Sequence, residues 1–260
     1  MSQQVDFDLT NSSQPEPPHT MEIAGVAIGI LPLVSLFENA IACFTRVKMA
    51  KSFGPDLQFF MVRLEVLHLR LTRWGKALGL NKPTKDNQAP NTNLPTSDQK
   101  LATKVLEQIK TRFEDAAKVV QDVDIGEDLA ATTADLGDKG ALVEGLRTMS
   151  IKRHPRPSTM TKAKCVIYQK ERLSDLIEDL SKSLNELDQV LPADSAGLTQ
   201  ICDEEAGELL DRVAISEAAV ALLEDVTAKL DRQLGDAIAR RRAPVSTNYH
   251  QKLLREILTL

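Results

Sequence analysis

Aromatic residues make up only 4% of this 260-residue chain. A β-sandwich needs aromatic and β-branched strands with turns at regular intervals, so this scarcity favours long helices, as does the gathering of glycine and proline into a few stretches. Cysteine is equally sparse. Cys43, Cys165 and Cys202 are odd in number, far apart and without CxxC spacing, which argues against a disulfide framework or a zinc site and fits a reducing compartment. His19, His68, His154 and His250 fall in separate segments with no HExxH pair. The phosphate-cradling GxxxxGK[ST] loop, a GxGxxG turn after a strand and a GxSxG elbow are all absent. Basic excess is missing too: the net charge of −5 argues against nucleic acid as a partner. No enzyme activity, catalytic residue, metal ligand or cofactor is therefore expected, and a triad assembled from distant positions is the one catalytic arrangement left open.

What the chain does have is concentrated near its start. Ile23 to Phe44, IAGVAIGILPLVSLFENAIACF, is its most apolar stretch, and Ile23 to Phe37 contains no ionisable residue. That run is long for a core helix and short of the roughly 20 residues that span a bilayer. Gly25 and Gly29 form a GxxxG pair, the spacing that lets apolar helices approach closely, and Pro32 interrupts any helix before it. A secretory signal would explain Ala40-Ile41-Ala42 as a cleavage site, but residues 1–20 carry Asp6, Asp8 and Glu16 and no Lys or Arg. A permanent membrane helix would have to tolerate Glu38 and Asn39 near one end. Two readings remain: a first helix always buried in a bundle, which periodicity alone favours, or one buried in one state and inserted in another.

Further along, residues 1–20 are polar, acidic and Pro-rich and read as a disordered extension. A first helix follows Pro32, with Leu33, Phe37, Ala40, Ile41, Phe44 and Val47 at helical spacing. Ser52 to Asp56 is a turn. Leu57, Phe60, Met61, Leu64, Leu67, Leu71, Trp74 and Leu78 mark a second helix that Gly75 and Gly79 end, with Arg63, Arg70, Arg73 and Lys76 on its other face. From 45 to 80 the basic residues Arg46, Lys48, Lys51, Arg63, Arg70, Arg73 and Lys76 meet only Asp56 and Glu65. Such a patch either attracts anionic lipid head groups, at about 1 kcal/mol per basic side chain, or is a solvated face with carboxylate partners in the same chain.

Residues 81–95 form a loop, Thr96 to Gln99 has capping-box spacing, and Leu101, Val105, Ile109, Phe113, Ala116 and Val120 define a third helix. Residues 122–159 lose all periodicity and read as short helical turns in a mobile connection. A fourth helix from Val166 to Leu191 ends at Pro192, and a fifth runs from Ser195 to Asp236 with Gly207 marking a kink. Asp203, Glu204, Glu205 and Glu208 on it read as a solvated face, and His68 as a satisfied structural histidine. Residues 237–260 form a basic tail, with a short amphipathic helix at Leu253 to Leu260.

Residues 23–80 closely resemble the start of the HeLo domain of fungal heterokaryon-incompatibility prion proteins, also found in the fungal loss-of-pathogenicity protein. The likeness is carried by Ala24-Gly25 to Leu36-Phe37-Glu38-Asn39, Cys43-Phe44, Phe53-Gly54-Pro55-Asp56, Arg63-Leu64 and above all Arg70-Leu71-Thr72-Arg73-Trp74-Gly75, with Trp74 at the centre of the family motif. It continues weakly through Leu101-Ala102 to Phe113 and from Lys162 to Leu191-Pro192.

The resemblance implies an all-α fold, a single bundle over residues 21–236, whose apolar N-terminal helix is packed away at rest. In the family a C-terminal amyloid motif refolds and releases that helix, which enters membranes and kills the cell. By that likeness the chain is a membrane-targeting effector of fungal programmed cell death, heterokaryon incompatibility or pathogenicity, cytoplasmic at rest and at the plasma membrane when activated. The inserting segment would comprise Ile23, Gly25, Val26, Ile28, Gly29, Ile30, Leu31, Leu33, Val34, Leu36, Phe37, Ile41 and Phe44. Arg46, Lys48, Lys51, Arg70, Arg73 and Lys76 would lie near head groups. Membrane lipids are the implied partner, together with a homo-oligomer or a related HeLo-type or signalling protein. The chain departs from the prion-bearing members at 237–260, which hold Pro244 and a basic run but no paired β-prone repeats, so amyloid templating in cis is not expected. The alternative is a soluble helical interaction or regulatory module that never enters a membrane.

Overall fold

The computed structural model describes residues 21–49, 56–81, 94–118, 139–154, 165–167, 169–190, 196–213 and 216–243, and of 21–31 the backbone alone. The expectations for 1–20, for Lys51 and for 244–260 lie outside these residues, as do those for the side chains of 21–31 and of Lys48.

The helices are α1 (Met21–Arg46), α2 (Asp56–Ala77), α3 (Thr96–Lys118), α4 (Gly140–Arg153), α5 (Lys170–Val190), α6 (Ala196–Val213) and α7 (Glu217–Leu230), followed by α8 at 232–243. An all-α bundle is thus what the chain forms. Its one addition among the described residues is a parallel pair of three-residue strands, β1 (Val47–Met49) and β2 (Cys165–Ile167), in register Val47 to Cys165 and Met49 to Ile167. This pair takes Val166 out of the helix expected from Val166 onward, and α5 begins at Lys170.

The strongly periodic helices bury most of the stripe their spacing defines, although Leu101, expected on the inner side of α3, is 41% exposed. The buried residues are Leu173, Leu176, Ile177, Leu180, Leu184 and Leu187 in α5, and Ala102, Val105, Leu106, Ile109 and Phe113 in α3. The first turn of α3 is closed by the carbonyl of Pro95, which accepts from the N–H groups of Asp98 and Gln99, while the Gln99 amide donates to the carbonyl of Leu94 at 2.8 Å. The capping-box residues are therefore at a helix start, but Gln99 reaches further back than that motif requires.

Three expectations are corrected and a fourth is extended. First, α1 does not start at Pro32: it begins at Met21 and runs through the proline, which lacks the N–H for one helical bond but does not end the helix. Second, the stretch read as a mobile connection contains α4, fourteen residues long. Its buried side includes Gly140, Gly145 and Ser150 as well as Leu142, Val143, Leu146 and Met149, and small residues leave no hydrophobic period. A Cβ on Gly145 would stand 2.9 Å from Cδ of Arg212, so the glycine sets how closely α4 approaches α6.

Third, the expected fifth helix is three. Ser216 caps α7 by accepting from the Ala219 N–H, and Asp231 forms the corner to α8, its carboxylate accepting from the Leu234 N–H at 3.2 Å. Fourth, Gly207 has a packing role the pattern does not suggest: α6 is continuous through it, and its missing side chain makes room for the Arg241 guanidinium of α8. Arg240 and Arg242 pair with Asp203 and Glu224, so the arginine run docks α8 on α6 and α7, and ordered helix extends past Asp236 to residue 243.

Candidate functional site

The C-terminal half of α1 lies mainly on α3 and also on α2. Leu33, Phe37, Ala40, Ile41 and Phe44 are buried, with Val34 and Leu36 half-buried beside them. Phe37 is the key contact. Its ring lies 6.2 Å from that of Trp74 and meets His154 edge-on at 5.4 Å. A Cβ on Gly75 would fall 2.0 Å from Cζ of Phe37, so only glycine leaves this seat open. One heptad on, Phe44 stacks flat on His68 at 5.2 Å and meets Phe113 edge-on at 4.9 Å.

Behind this seat α2 is buried on all sides from Leu64 to Gly75. Arg70 and Arg73, expected at a lipid-facing or solvated surface, are 8% and 2% exposed and belong to the interior. The reason is pairing. Arg73 donates to Asp231 at 2.7 and 3.0 Å and to Glu205 at 2.6 to 3.1 Å, and Arg153 also pairs with Glu205. Two guanidinium groups thus balance two carboxylates in the dry core. Burial disfavours the Arg73 charge, but Asp231 and Glu205 outweigh it and raise its pKa well above the ordinary value. Glu205, read as part of a solvated face, is 1% exposed for the same reason.

One turn earlier Arg70 reaches Asp188 at 2.5 Å, Asn185 at 2.7 Å and the Leu230 carbonyl at 2.7 Å. Trp74 donates its indole N–H to the Leu187 carbonyl at 3.0 Å. A single stretch of α2, residues 70–75, therefore carries polar bonds to α5, to α6 and to the α7–α8 corner, and on its other side holds Phe37 of α1. Of the remaining head-group candidates Lys76 is exposed and Arg46 is half-buried.

Glu65 joins α2 to α4. It is buried, accepts from Nε of Arg147 at 2.9 Å with Nη2 2.8 Å from the same oxygen, and faces Nδ1 of His68 at 3.3 Å; the buried Nε2 of His68 has no hydrogen-bond partner among the described residues, so this histidine, expected to be satisfied, is satisfied on one nitrogen only. Burial raises its pKa, but the hydrogen bond and charge of His68 and then Arg147 prevail, so the carboxyl titrates below its ordinary value of 4.5. A depressed folded pKa means that this carboxylate stabilises the fold above pH 4.5, and that the contribution is lost as the pH falls through the folded value. Glu65→Gln should cost stability at pH 7 and lose that deficit relative to wild type in acid, as urea denaturation at a series of pH values will show.

Burial pushes the thiols of Cys43 and Cys202 up to about 11 and about 12, so neither is an activated nucleophile. Among the described residues no His, Cys, Asp and Glu gather as a metal site, and no helix is long and apolar enough to cross a membrane.

These features agree with what the chain is similar to. A sequence profile for HeLo, described as prion-inhibition and propagation, matches residues 25–223. "Heterokaryon incompatibility protein s" of Podospora anserina is 26% identical over 223 residues, 84% of this chain and 74% of that protein. "Heterokaryon incompatibility protein S" of the same fungus is 27% identical over 222 residues, 83% and 73% of the two chains. Among solved structures, the HET-S N-terminal domain superposes with a TM-score of 0.68 at 24% identity, covering 86% of this chain and 99% of that one. A doubly substituted HET-s N-terminal domain gives 0.65 at 25% identity, covering 80% and 97%. With the profile spanning well over half of its length, the chain belongs to the HeLo family.

Proposed function

We propose that this HeLo-family chain is a membrane-targeting effector of fungal programmed cell death, heterokaryon incompatibility or pathogenicity that acts by releasing α1 to lipid. The observation that carries this reading is the seat of α1: one apolar helix keyed by Phe37 into a glycine notch, with the polar bonds of α2 directly behind the notch. Burial of Leu33, Phe37, Ile41 and Phe44 is worth about 1.5 to 3 kcal/mol each, roughly 6 to 12 kcal/mol in all. That is comparable to the whole stability of a domain, about 5 to 15 kcal/mol. Water alone therefore does not draw α1 out. A bilayer offers apolar cover of similar worth, and self-association through Gly25 and Gly29 offers more. In this reading the protein is cytoplasmic at rest and moves to the plasma membrane when activated, with Lys76 and the basic residues after α1 near the head groups. A homo-oligomer or a related HeLo-type protein is the proposed protein partner.

The second reading is a regulatory or interaction module in which α1 never leaves. The depth of the Phe37 contact favours it, because a key so tightly fitted also suits a permanent core. Leakage from liposomes containing anionic lipid separates the two. Release of α1 predicts dye efflux by the full chain under activating conditions, and loss of efflux when Ile28→Asp is introduced while the fold, followed by circular dichroism, persists. Efflux that survives Ile28→Asp, or none from a chain whose α1 has been freed by the Gly75 substitution discussed below, would count against insertion.

A further inference from the structure

We propose that the cavity enclosed by the end of α1, β1, the first half of α2 and α4 binds a small amphipathic carboxylate, a free fatty acid of about eight carbons. The cavity measures about 210 Å³. An apolar cavity of about 150 Å³ takes a benzene molecule and drug-sized ligands need about 300 Å³ or more, so an occupant of about ten heavy atoms fits. Phe44, Val47, Met49, Leu57, Met61 and Leu64 supply the apolar part of the wall, and Thr45, Glu65, His68 and Arg147 the polar part. Ile151, also in the lining, is 49% exposed, which places the opening on the α4 side.

Arg147 decides the head group. Its Nε donates to one oxygen of Glu65 and its Nη2 lies 2.8 Å from the same oxygen, which holds the guanidinium by its side edge. The end edge, Nη1 with the second N–H of Nη2, makes no hydrogen bond among the described residues, while the side chain is 39% exposed. Two parallel N–H groups held where the polar part of the wall meets the apolar part match the two oxygens of a carboxylate. A neutral ligand would leave that fork to water and a cation would be repelled by it. A dianionic phosphate would crowd a second and third negative charge against Glu65 with one guanidinium between them. Because the ligand would touch α1, β1, α2 and α4 at once, its binding stabilises the folded chain in proportion to the occupied fraction. This inference does not depend on whether α1 is released.

The test is calorimetric titration and thermal melting of the full chain with octanoate, 1-octanol and octylammonium. Octanoate is expected to bind one to one, raise Tm, and bind about ten- to a hundredfold more tightly than octanol, as a charge-assisted hydrogen-bonded pair requires. Arg147→Gln should reduce octanoate to the level of octanol and leave octanol unchanged, with Arg147→Lys recovering part of the preference. Since Arg147→Gln also strips Glu65 of a partner, affinities are compared at a temperature where circular dichroism shows each variant folded. Met61→Trp fills the cavity and should abolish both ligands. Binding of neither ligand, equal binding of octanol and octanoate by the unaltered chain, or octanoate affinity unchanged in Met61→Trp would overturn the proposal.

Discussion

Gly75→Ala should expel the Phe37 ring from its seat and cost about 3 to 5 kcal/mol, the range for emptying a buried aromatic site, because a simple overpacking shift of about 1 to 3 kcal/mol cannot absorb the overlap. The new methyl would lie 2.0, 2.5 and 2.8 Å from three atoms of that ring, and neither backbone can give by that much. The decisive measurement is the pair. If Gly75 exists to admit Phe37, then Gly75→Ala combined with Phe37→Ala should cost little more than Phe37→Ala alone, a strong departure from additivity. Urea denaturation of the four proteins gives the coupling, and trypsin cleavage near Arg46 in native buffer reports whether α1 has lifted. Simple additivity would mean that the notch serves some other purpose.

Arg73→Met is the second large effect, expected at about 3 to 5 kcal/mol, since it strands Asp231 and leaves Glu205 with Arg153 alone in the interior. The cost is not the worth of the ion pairs, which is close to nothing once desolvation of four charged groups is counted; it is the penalty for uncompensated charge. Arg73→Lys should fall between, because a lysine keeps the charge but cannot fork to two carboxylates at once. As an internal control, Lys182→Ala removes an exposed, solvent-screened pair with Glu178 and should leave stability essentially unchanged. Chemical denaturation monitored by the single Trp, Trp74, measures all three, and a loss below about 1 kcal/mol for Arg73→Met would show that the buried cluster does not hold α2.

Both effects fall on α2, where the sequence was both most informative and most misleading. Leu57, Leu64, Leu67, Leu71 and Trp74 spelled out one apolar face, and the string from Arg70 to Gly75 pointed to the HeLo family. Periodicity assumes that the other face meets water, so Arg70 and Arg73 were placed outside. They are inside because Asp188, Glu205 and Asp231 meet them from 118 to 158 positions away, and no local rule connects residues at that distance. One local signal exists: two arginines three residues apart, the second next to a tryptophan, leave little room for solvent on either flank of a helix. Gly75 and Gly79 do flank the end of α2 at Ala77, with Gly79 at a φ of 72° and the Gly75 carbonyl accepting from the Leu80 N–H, but Gly75 also serves space, which no local pattern reveals. The helix α4 stayed hidden because its buried face is partly glycine and serine. By contrast α3 and α5, long and periodic, are legible from spacing, except that Leu101 is exposed where Ala102 and Leu106 are buried and Val166 lies in β2 ahead of α5.

The wide separation between Arg73 and its counter-charges also shapes how the chain comes into being. Asp231 follows Arg73 by 158 residues, so on a ribosome adding about 5 to 20 residues per second the carboxylate emerges roughly 8 to 32 s after the guanidinium. Through that interval α2 cannot enter a dry interior, and Phe37 has no completed notch to occupy. The nascent polypeptide thus exposes its most apolar segment early and gains the counter-charges behind that segment's seat late.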